Sequence, residues 1–276
     1  MNNVALLVHA CDRYKFLYPG FAFFFKKYWD FTIPCNYYFA TEEADVGVDH
    51  FKNIKSGKGQ WSDRLRKLLI KNITEDYVLY FQEDMWLKSV VDADFFKELF
   101  IITQSENWQL VKLHSSNVYQ TTATQQYIQG LNVTVLNNKL SGYLMSHQVT
   151  LWHKPFLIEQ LYKNEHPWRN ERRGTKRLKK LDPVIQHIDY FADNGSIPIN
   201  QNKNIYSRSA YNTVSLNGMF NDNVLPYIPQ LLEGDNWERG FALRYEDHYH
   251  KKITHDGLPK PRKEDVFKKI KNMFTK

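Results

Sequence analysis

Over the first 115 residues, apolar runs of strand length alternate with longer amphipathic stretches of helical length, and this alternation restricts the fold more than any other feature. A chain built strand, helix, strand, helix covers both faces of a sheet, joins its strands in parallel and binds ligands beyond their carboxyl ends. The apolar run VALLVH at Val4–His9 predicts the first strand, followed by a polar Cys11-Asp12-Arg13 loop and an aromatic helix ending near Trp29. Strands follow at 36–40 and 50–54. The spacing of Trp61, Leu65, Leu68 and Leu69 predicts a helix over 62–73 with Ser62 or Asp63 as N-cap. YVLYF at Tyr77–Phe81 is the clearest buried strand and runs into Gln82-Glu83-Asp84.

Further on, the pattern predicts a helix over 93–104, a strand over 109–113, a polar loop through Tyr127 and short strands at 133–136, 143–145 and 149–152. Lys154-Pro155 opens a helix to about Tyr162, with proline where a missing N–H is harmless. Asp182-Pro183 opens another, closed by Asn194-Gly195. The expectation is an α/β fold, Rossmann-like, with a mainly parallel central sheet flanked by helices. One domain covers 1–250, with halves 1–115 and 116–250, and a basic tail covers 251–276.

Charge distribution separates that tail from the body. The chain of 276 residues carries 37 Lys plus Arg against 30 Asp plus Glu, a net +7. Residues 169–180 (RNERRGTKRLKK) and residues 251–276 are each net +6, which leaves the rest at −5. An acidic body with two compact basic elements fits two local anionic partners better than a uniformly basic surface does. In the tail, Val266, Phe267, Ile270, Met273 and Phe274 fall on one helical face with lysines elsewhere. That is the pattern of a basic amphipathic helix on an anionic membrane, with packing against protein as the competing reading.

Cys11 and Cys35 are the only cysteines, too few for a disulfide framework, and both are expected to be small buried residues. The start of the chain lacks the layout of a signal peptide, which points to a reducing cytoplasmic setting where the sequons at Asn72, Asn132 and Asn194 stay unmodified. No apolar run is long enough to span a bilayer, so membrane contact is expected to be peripheral, on the inner face of the cell membrane.

Several groups could carry chemistry. Glu83-Asp84 ends a buried strand, where a carboxylate can face a cleft and share a Mg²⁺-type ion with substrate phosphates; a strand simply ending in polar residues is the alternative. SGKGQWSDRLRKLL offers Gly57, Gly59, Lys58 and Arg64 at a helix start, without Walker A spacing. In His166-Pro167-Trp168-Arg169-Asn170-Glu171, one carboxylate stands in a basic cluster that favours its ionised form. Glu246, Asp247, His248 and His250 lack standard zinc spacing and read as a solvent-exposed segment.

The order of four segments, VALLVHACDRY, QWSDRLRKLLIKNITEDYVLYFQEDMWL, SHQVTLWHKPFLIEQL and HPWRNERRGTKR, resembles bacterial nucleotide-sugar glycosyltransferases of the GT-A fold that act in surface-polysaccharide assembly (lipopolysaccharide or capsule). The resemblance spans residues 4 to about 180. It implies that Ala10, Cys11, Asp12 and Arg13 lie against the base and ribose of a nucleotide, with Trp61, Arg64 and Glu83 lining the same site. It implies Asp84 as the metal ligand for Mn²⁺ or Mg²⁺, Glu171 as general base, and Trp168 and His147 on the acceptor side. The family's metal motif has aspartates at both outer positions, whereas Gln82-Glu83-Asp84 matches it well only at Asp84. Basic side chains are the substitute for the metal.

The implied activity is transfer of a sugar, from a UDP-sugar in the first instance, to a saccharide acceptor, free or lipid-linked, with inversion. The membrane contact of residues 258–276 suits a lipid-linked acceptor. A same-fold transferase using another phosphate-bearing donor is the near alternative. A basic nucleic-acid-binding protein is the distant one, and no nucleic acid partner is expected because no module signature is present.

Overall fold

The computed structural model describes residues 3–192 and 208–259. The chain forms two compact units, Met1–Thr213 and Val214–Lys276.

In the first unit the elements run β1 (Val4–His9), a 3₁₀ turn (Asp12–Leu17), α1 (Tyr18–Tyr28), β2 (Asn36–Thr41), β3 (Lys52–Lys55), α2 (Trp61–Lys71), β4 (Tyr77–Phe81), β5 (Met85–Leu87) and α3 (Ala93–Ser105). They continue as β6 (Leu110–His114), β7 (Thr121–Ile128), β8 (Leu131–Leu136), β9 (Thr150–His153), α4 (Lys154–Gln160), α5 (Pro167–Leu181), β10 (Gln186–Ala192) and β11 (Ser209–Thr213). The sheet order is β3-β2-β1-β4-β9-β6-β10-β11-β5, with β8 pairing β10 and β7 pairing β8.

The first half of the sheet is parallel, as the alternating pattern predicts: β1 pairs β2 and β4, and β2 pairs β3. The second half corrects the expectation of a mainly parallel sheet, because β9 runs antiparallel between β4 and β6, β8 is antiparallel to β10, and β5 is antiparallel to β11. The fold is mixed α/β. The cause lies after β6, where the chain returns through a β7–β8 hairpin in place of a helical crossover.

That hairpin replaces the expected polar loop through Tyr127. Its Thr- and Gln-rich strand exposes much of its surface, which hides it from an apolar-run reading, and Gln129 and Gly130 both adopt positive φ at the turn (43° and 77°). The expected strand at 143–145 is a loop: Tyr143 sits at φ 48°, and Leu144 and Met145 plug the core. Asp182-Pro183 ends a helix rather than starting one. Asp182 caps α5 at φ 52° in the left-handed region, Pro183 blocks continuation, and the apolar residues that follow form β10. The proposed stop at Asn194-Gly195 and the amphipathic face at 266–274 lie outside the described residues.

Each sheet face has its own cover. On one, aromatic residues of α1 and α3 meet the strands: Phe21 packs on Phe39 with centroids 5.7 Å apart, Phe25 on Phe81 at 5.7 Å and Phe24 on Trp86 at 5.5 Å. Gly20 is required there, since a Cβ would lie 2.2 Å from the Trp86 ring. On the other face, Leu65, Leu68 and Leu69 of α2, Phe156 and Leu157 of α4 and Leu178 of α5 cover Leu7, Tyr80 and Trp152. Register places Tyr38, Leu7, Tyr80, Thr150, Lys112 and His187 in one row across β2, β1, β4, β9, β6 and β10. Residues in register share a face, so this row sets out the polar side chains at the sheet's carboxyl edge.

In the second unit, β12 (Ser215–Leu216) and β13 (Met219–Phe220) form a hairpin through Asn217-Gly218. Then come α6 (Ile228–Leu232) and α7 (Asn236–Lys251), the latter opened by a capping box of Asp235 and Glu238. Glu246 and Asp247 lie on the last turns of α7, where His250 and Lys251 stand one turn on at 4.0 and 2.7 Å.

Candidate active site

At the carboxyl ends of β1, β2 and β4, the groups implied for nucleotide binding interlock with one another. The Asp12 carboxylate accepts the backbone N–H groups of Glu42 (2.9 Å), Glu43 (2.8 Å) and Ala44 (2.9 Å), while its own N–H donates to Glu42 Oε2 at 3.0 Å. Arg64 is buried on α2 with Nη1 3.1 Å from Glu42 Oε1. Ala10 N–H donates to Ala40 O at 2.9 Å, and Cys11 N–H to Glu83 Oε1 at 3.2 Å. Burial and the charge of Glu42 push the Cys11 thiol up to about 11, which removes it as a nucleophile. Arg13 is exposed beside this clamp.

Several buried nitrogens in this region have no hydrogen-bond partner among the described residues, including His9 Nε2, Trp61 Nε1, Arg64 Nε and His147 Nε2. His9 lies against Trp61 (5.7 Å between centroids), and Trp61 lies against His147 (4.2 Å). Burial holds both imidazoles neutral, with His147 lowered to about 3.

The turn after β4 holds Glu83 and Asp84 side by side. Glu83 is buried, and burial together with the neighbouring Asp84 raises its pKa to about 8. Asp84 is partly exposed, and desolvation raises it to about 7. Its charge reaches Tyr14, Tyr80 and Tyr211. Among the described residues no group of three or more His, Cys, Asp or Glu could hold a metal ion. With Glu83 engaged by Cys11, the protein offers one hard carboxylate. That suits a Mg²⁺-type ion arriving with a diphosphate and does not suit a protein-built cage.

Glu171 stands at a second place along the same edge. It lies in the second turn of α5, where Pro167 occupies the first helical position and the His166 side chain accepts the Arg169 N–H at 3.3 Å. Asn170, Gly174 and Leu178 form the buried face. A Cβ on Gly174 would lie 2.6 Å from Met145 Cγ, so glycine is what lets α5 close onto the 141–148 loop. Thr175 Oγ1 accepts the Met145 N–H at 3.2 Å, and Glu171 Oε1 accepts the His147 N–H at 2.9 Å. The carboxylate is thereby fixed on the wall of a cavity of about 270 Å³. Ser115, Ser116, Ser146, Tyr119 and Tyr143 give that wall its hydroxyls, and His114 and Gln148 complete it. The Tyr211 hydroxyl donates to Gln148 Oε1 at 2.6 Å and fixes that side chain in the wall. Burial raises the Glu171 pKa, and the His147 N–H and the Lys112 charge oppose the rise.

A wider depression of about 690 Å³ along β3 is lined by Asp45, Lys52 and Lys55 among others and offers neither an aromatic side chain nor a histidine. The 270 Å³ cavity is the better candidate.

The structure thus brings Trp61 and His147 together, joins Cys11 to Glu83, and puts Glu171 on a cavity wall. Trp168 is 65% exposed and does not line that cavity. Arg177 leaves the basic run to pair with the buried Glu165 at 3.0 Å. Sequence reasoning missed Lys112, His114, Tyr119, Tyr143, Ser146 and Gln148. A signal existed only for Lys112, a lone cation inside the apolar strand LVKLH.

No protein-family profile matches the chain, and no curated protein does. Among solved structures, it is similar to residues 1–349 of S. aureus TarS, with 9% identity over 90% of this chain and 72% of that one and a TM-score of 0.45. A longer S. aureus TarS structure gives 9% identity over 91% and 44%, with a TM-score of 0.44. A UTP-bound UGPase from Acinetobacter baumannii gives 7% over 68% and 86%, with a TM-score of 0.45.

Proposed function

We propose that this protein is a glycosyltransferase of the GT-A type that passes a sugar from a nucleoside diphosphate donor, a UDP-sugar in the first instance, to a hydroxyl of a saccharide acceptor. The observation that carries the proposal is the Glu171 carboxylate, held by the His147 N–H at 2.9 Å on the wall of a hydroxyl-lined cavity at the sheet's carboxyl edge. A wall rich in hydroxyl and amide groups suits a polyhydroxylated ligand, and a fixed carboxylate there suits removal of a proton from it.

In the reaction, Glu171 takes the proton of the acceptor hydroxyl as that oxygen attacks the anomeric carbon. The bond to the diphosphate breaks on the opposite side, and the centre inverts. Ala10, Cys11, Asp12, Arg13, Trp61, Arg64 and Glu83 form the donor side. The buried N–H of Arg64 Nε, which meets no acceptor among the described residues, supports oxyanion binding there. Asp84 would hold Mn²⁺ or Mg²⁺ together with the diphosphate, and the ion would supply charge neutralisation for the leaving group. Trp168, beyond the cavity, would meet the outer part of a longer acceptor.

No helix among the described residues is long and apolar enough to cross a membrane. For a lipid-linked acceptor, the basic segment 258–276 would keep the enzyme on the anionic cytoplasmic face of the membrane; nearly all of that segment lies outside the described residues.

Thermal unfolding with UDP, GDP, CDP and CMP, each with and without Mn²⁺, tests the reading. A ligand at 100 times its Kd stabilises the fold by about 2.7 kcal/mol, so the preferred base and the metal dependence appear as the largest upward shift. No shift with any nucleotide would remove the donor half of the proposal. Stabilisation by CMP alone would favour another phosphate-bearing donor.

A further inference from the structure

Lys112 is the central residue of a five-residue strand, fully buried, and nothing in the mechanism above uses it. A lysine is rarely retained in a sheet core without a carboxylate in direct contact, because the ammonium gives up its hydration there. The Lys112 ammonium makes one hydrogen bond, donated to Ser146 Oγ at 2.8 Å, and lies 5.3 Å from the centroid of the Tyr119 ring. Ser146 and Tyr119 both line the Glu171 cavity, so the ammonium lies one side chain behind its wall.

The titratable groups around Lys112 come from several elements, while β9 places only Thr150 opposite it. His114 lies two residues on along the same strand, His187 is on β10, His147 and Ser146 are on the 141–148 loop, Tyr119 follows β6, and Glu171 is on α5. Burial keeps the three histidines neutral, with His147 lowered to about 3 and His187 to about 4. Tyr119 is fixed by its hydroxyl on His114 Nε2 at 2.9 Å, and burial keeps it protonated. Below about pH 7, to which burial lowers its ammonium, Lys112 is therefore a cation that the interior presents to Glu171, and Glu171 is the carboxylate that supports that charge.

We propose that Lys112 is a positioning residue of this cavity: from behind the wall its ammonium holds Glu171 as a carboxylate, ready to accept a proton, and pins the Ser146 hydroxyl in place. It does not touch substrate. The inference rests on the reading of Glu171 as a base, but its physical content, a Lys112–Glu171 charge pair across the cavity wall, is measurable in the protein without any substrate.

The experiment is an NMR titration of the full chain labelled with ¹³C at glutamate side-chain carboxyls, with the Glu171 signal assigned by its loss in Glu171→Gln. Lys112→Met keeps an unbranched side chain of nearly the same length and removes the charge. The midpoint of Glu171 is expected to rise by about one pH unit, the lower end of what a close opposite charge contributes, whereas Ser146→Ala leaves it nearly unchanged. The reciprocal measurement needs no change at Lys112: in Glu171→Gln the ¹⁵N-labelled Lys112 ammonium should titrate at lower pH than in the native chain. An unmoved Glu171 midpoint in folded Lys112→Met overturns the proposal. If that variant does not fold, an unmoved Lys112 midpoint in Glu171→Gln overturns it equally.

Turnover separates this proposal from the functional reading. With transfer established, Lys112→Met should shift the acid limb of the kcat/KM profile upward and recover at higher pH, which a merely structural defect would not do. If the midpoints shift while no nucleotide sugar is turned over, the charge pair stands and the transferase reading falls.

Discussion

The two ends of the sheet's carboxyl edge are built on opposite principles. Along β1, β2 and β4 the charged groups engage one another: Asp12 holds three backbone amides, Glu42 meets both Arg64 and the Asp12 N–H, and Glu83 holds Cys11. Along β6 and α5 the polar groups surround open space, with Glu171 fixed through one oxygen and its cavity lined by hydroxyls. Carboxylates spent on backbone amides rigidify a loop, so substituting them acts first on folding, even where the loop also borders the donor side. An open polar wall adds little to folding and leaves its groups for a ligand, so substitutions there act mainly on turnover.

The largest effect should come from the open end. Glu171→Gln keeps shape and removes the base, and general-base action is worth about 10²–10⁴-fold. Turnover should fall by that factor while nucleotide binding and the unfolding midpoint hold; undiminished turnover would end the role given to Glu171. Next is the joint that shapes this end. Gly174→Ala gains about 1 kcal/mol of helix propensity but sets a Cβ 2.6 Å from Met145 Cγ. Overpacking costs about 1–3 kcal/mol, so urea unfolding should report a net loss, accompanied by a higher acceptor KM as Glu171 moves with α5.

At the closed end, Asp12→Ala deprives three backbone N–H groups of their acceptor. The expected cost is about 1–3 kcal/mol by chemical denaturation. A loss of turnover with unchanged stability would reverse the contrast, because Asp12 would then act on the donor directly and not through the loop it holds.

The amino-acid pattern follows the same division. Most of residues 1–115 was legible as strand and helix because the main elements there are long, apolar on a regular period and bounded by polar turns, as in VALLVH and YVLYF, whereas the three-residue β5 (Met85–Leu87) was too short to stand out. The second half obscured itself. β7 is a Thr/Gln strand with an exposed face, and Tyr143 to Met145 reads as a strand but contains a left-handed residue. The helix end at Asp182-Pro183 looks like a helix start because aspartate and proline serve at both. Glu171 stood out through its Pro-Trp-x-x-Glu-x-x-Gly setting, and the structure adds why that spacing matters, since Gly174 one turn on is where α5 touches Met145. The cavity walls were not legible, because Ser115, Tyr119, Ser146 and Gln148 meet only through long-range register, and no local pattern marks a serine that faces a cavity.

Lys112 gives the contrast a pH signature. Burial lowers its ammonium to about 7, against about 10.4 in an unfolded chain. Between those values the unfolded chain holds a proton that the folded chain has released, so this residue makes stability rise with pH from about 7 toward 10. Relative to Lys112→Met, the native chain should gain on the order of 2 kcal/mol between about pH 7 and 9 in urea unfolding. A flat difference over that window would mean that the ammonium is better solvated than its position implies.

The smallest effect should be the most specific to the open end. Tyr143 lines the cavity, is 59% exposed and adopts φ 48°, a conformation that costs a bulky L-residue roughly 1 kcal/mol and that asparagine tolerates well. A protein selected at this position for folding alone has no reason to keep an exposed tyrosine there. Tyr143→Asn should therefore leave stability unchanged or raise it by up to about 1 kcal/mol, while weakening acceptor binding through loss of the aromatic ring. Stability and acceptor KM measured on the same preparation check both halves. A fall in stability would mean that the ring supports the loop, and an unchanged KM would mean that the acceptor passes it by.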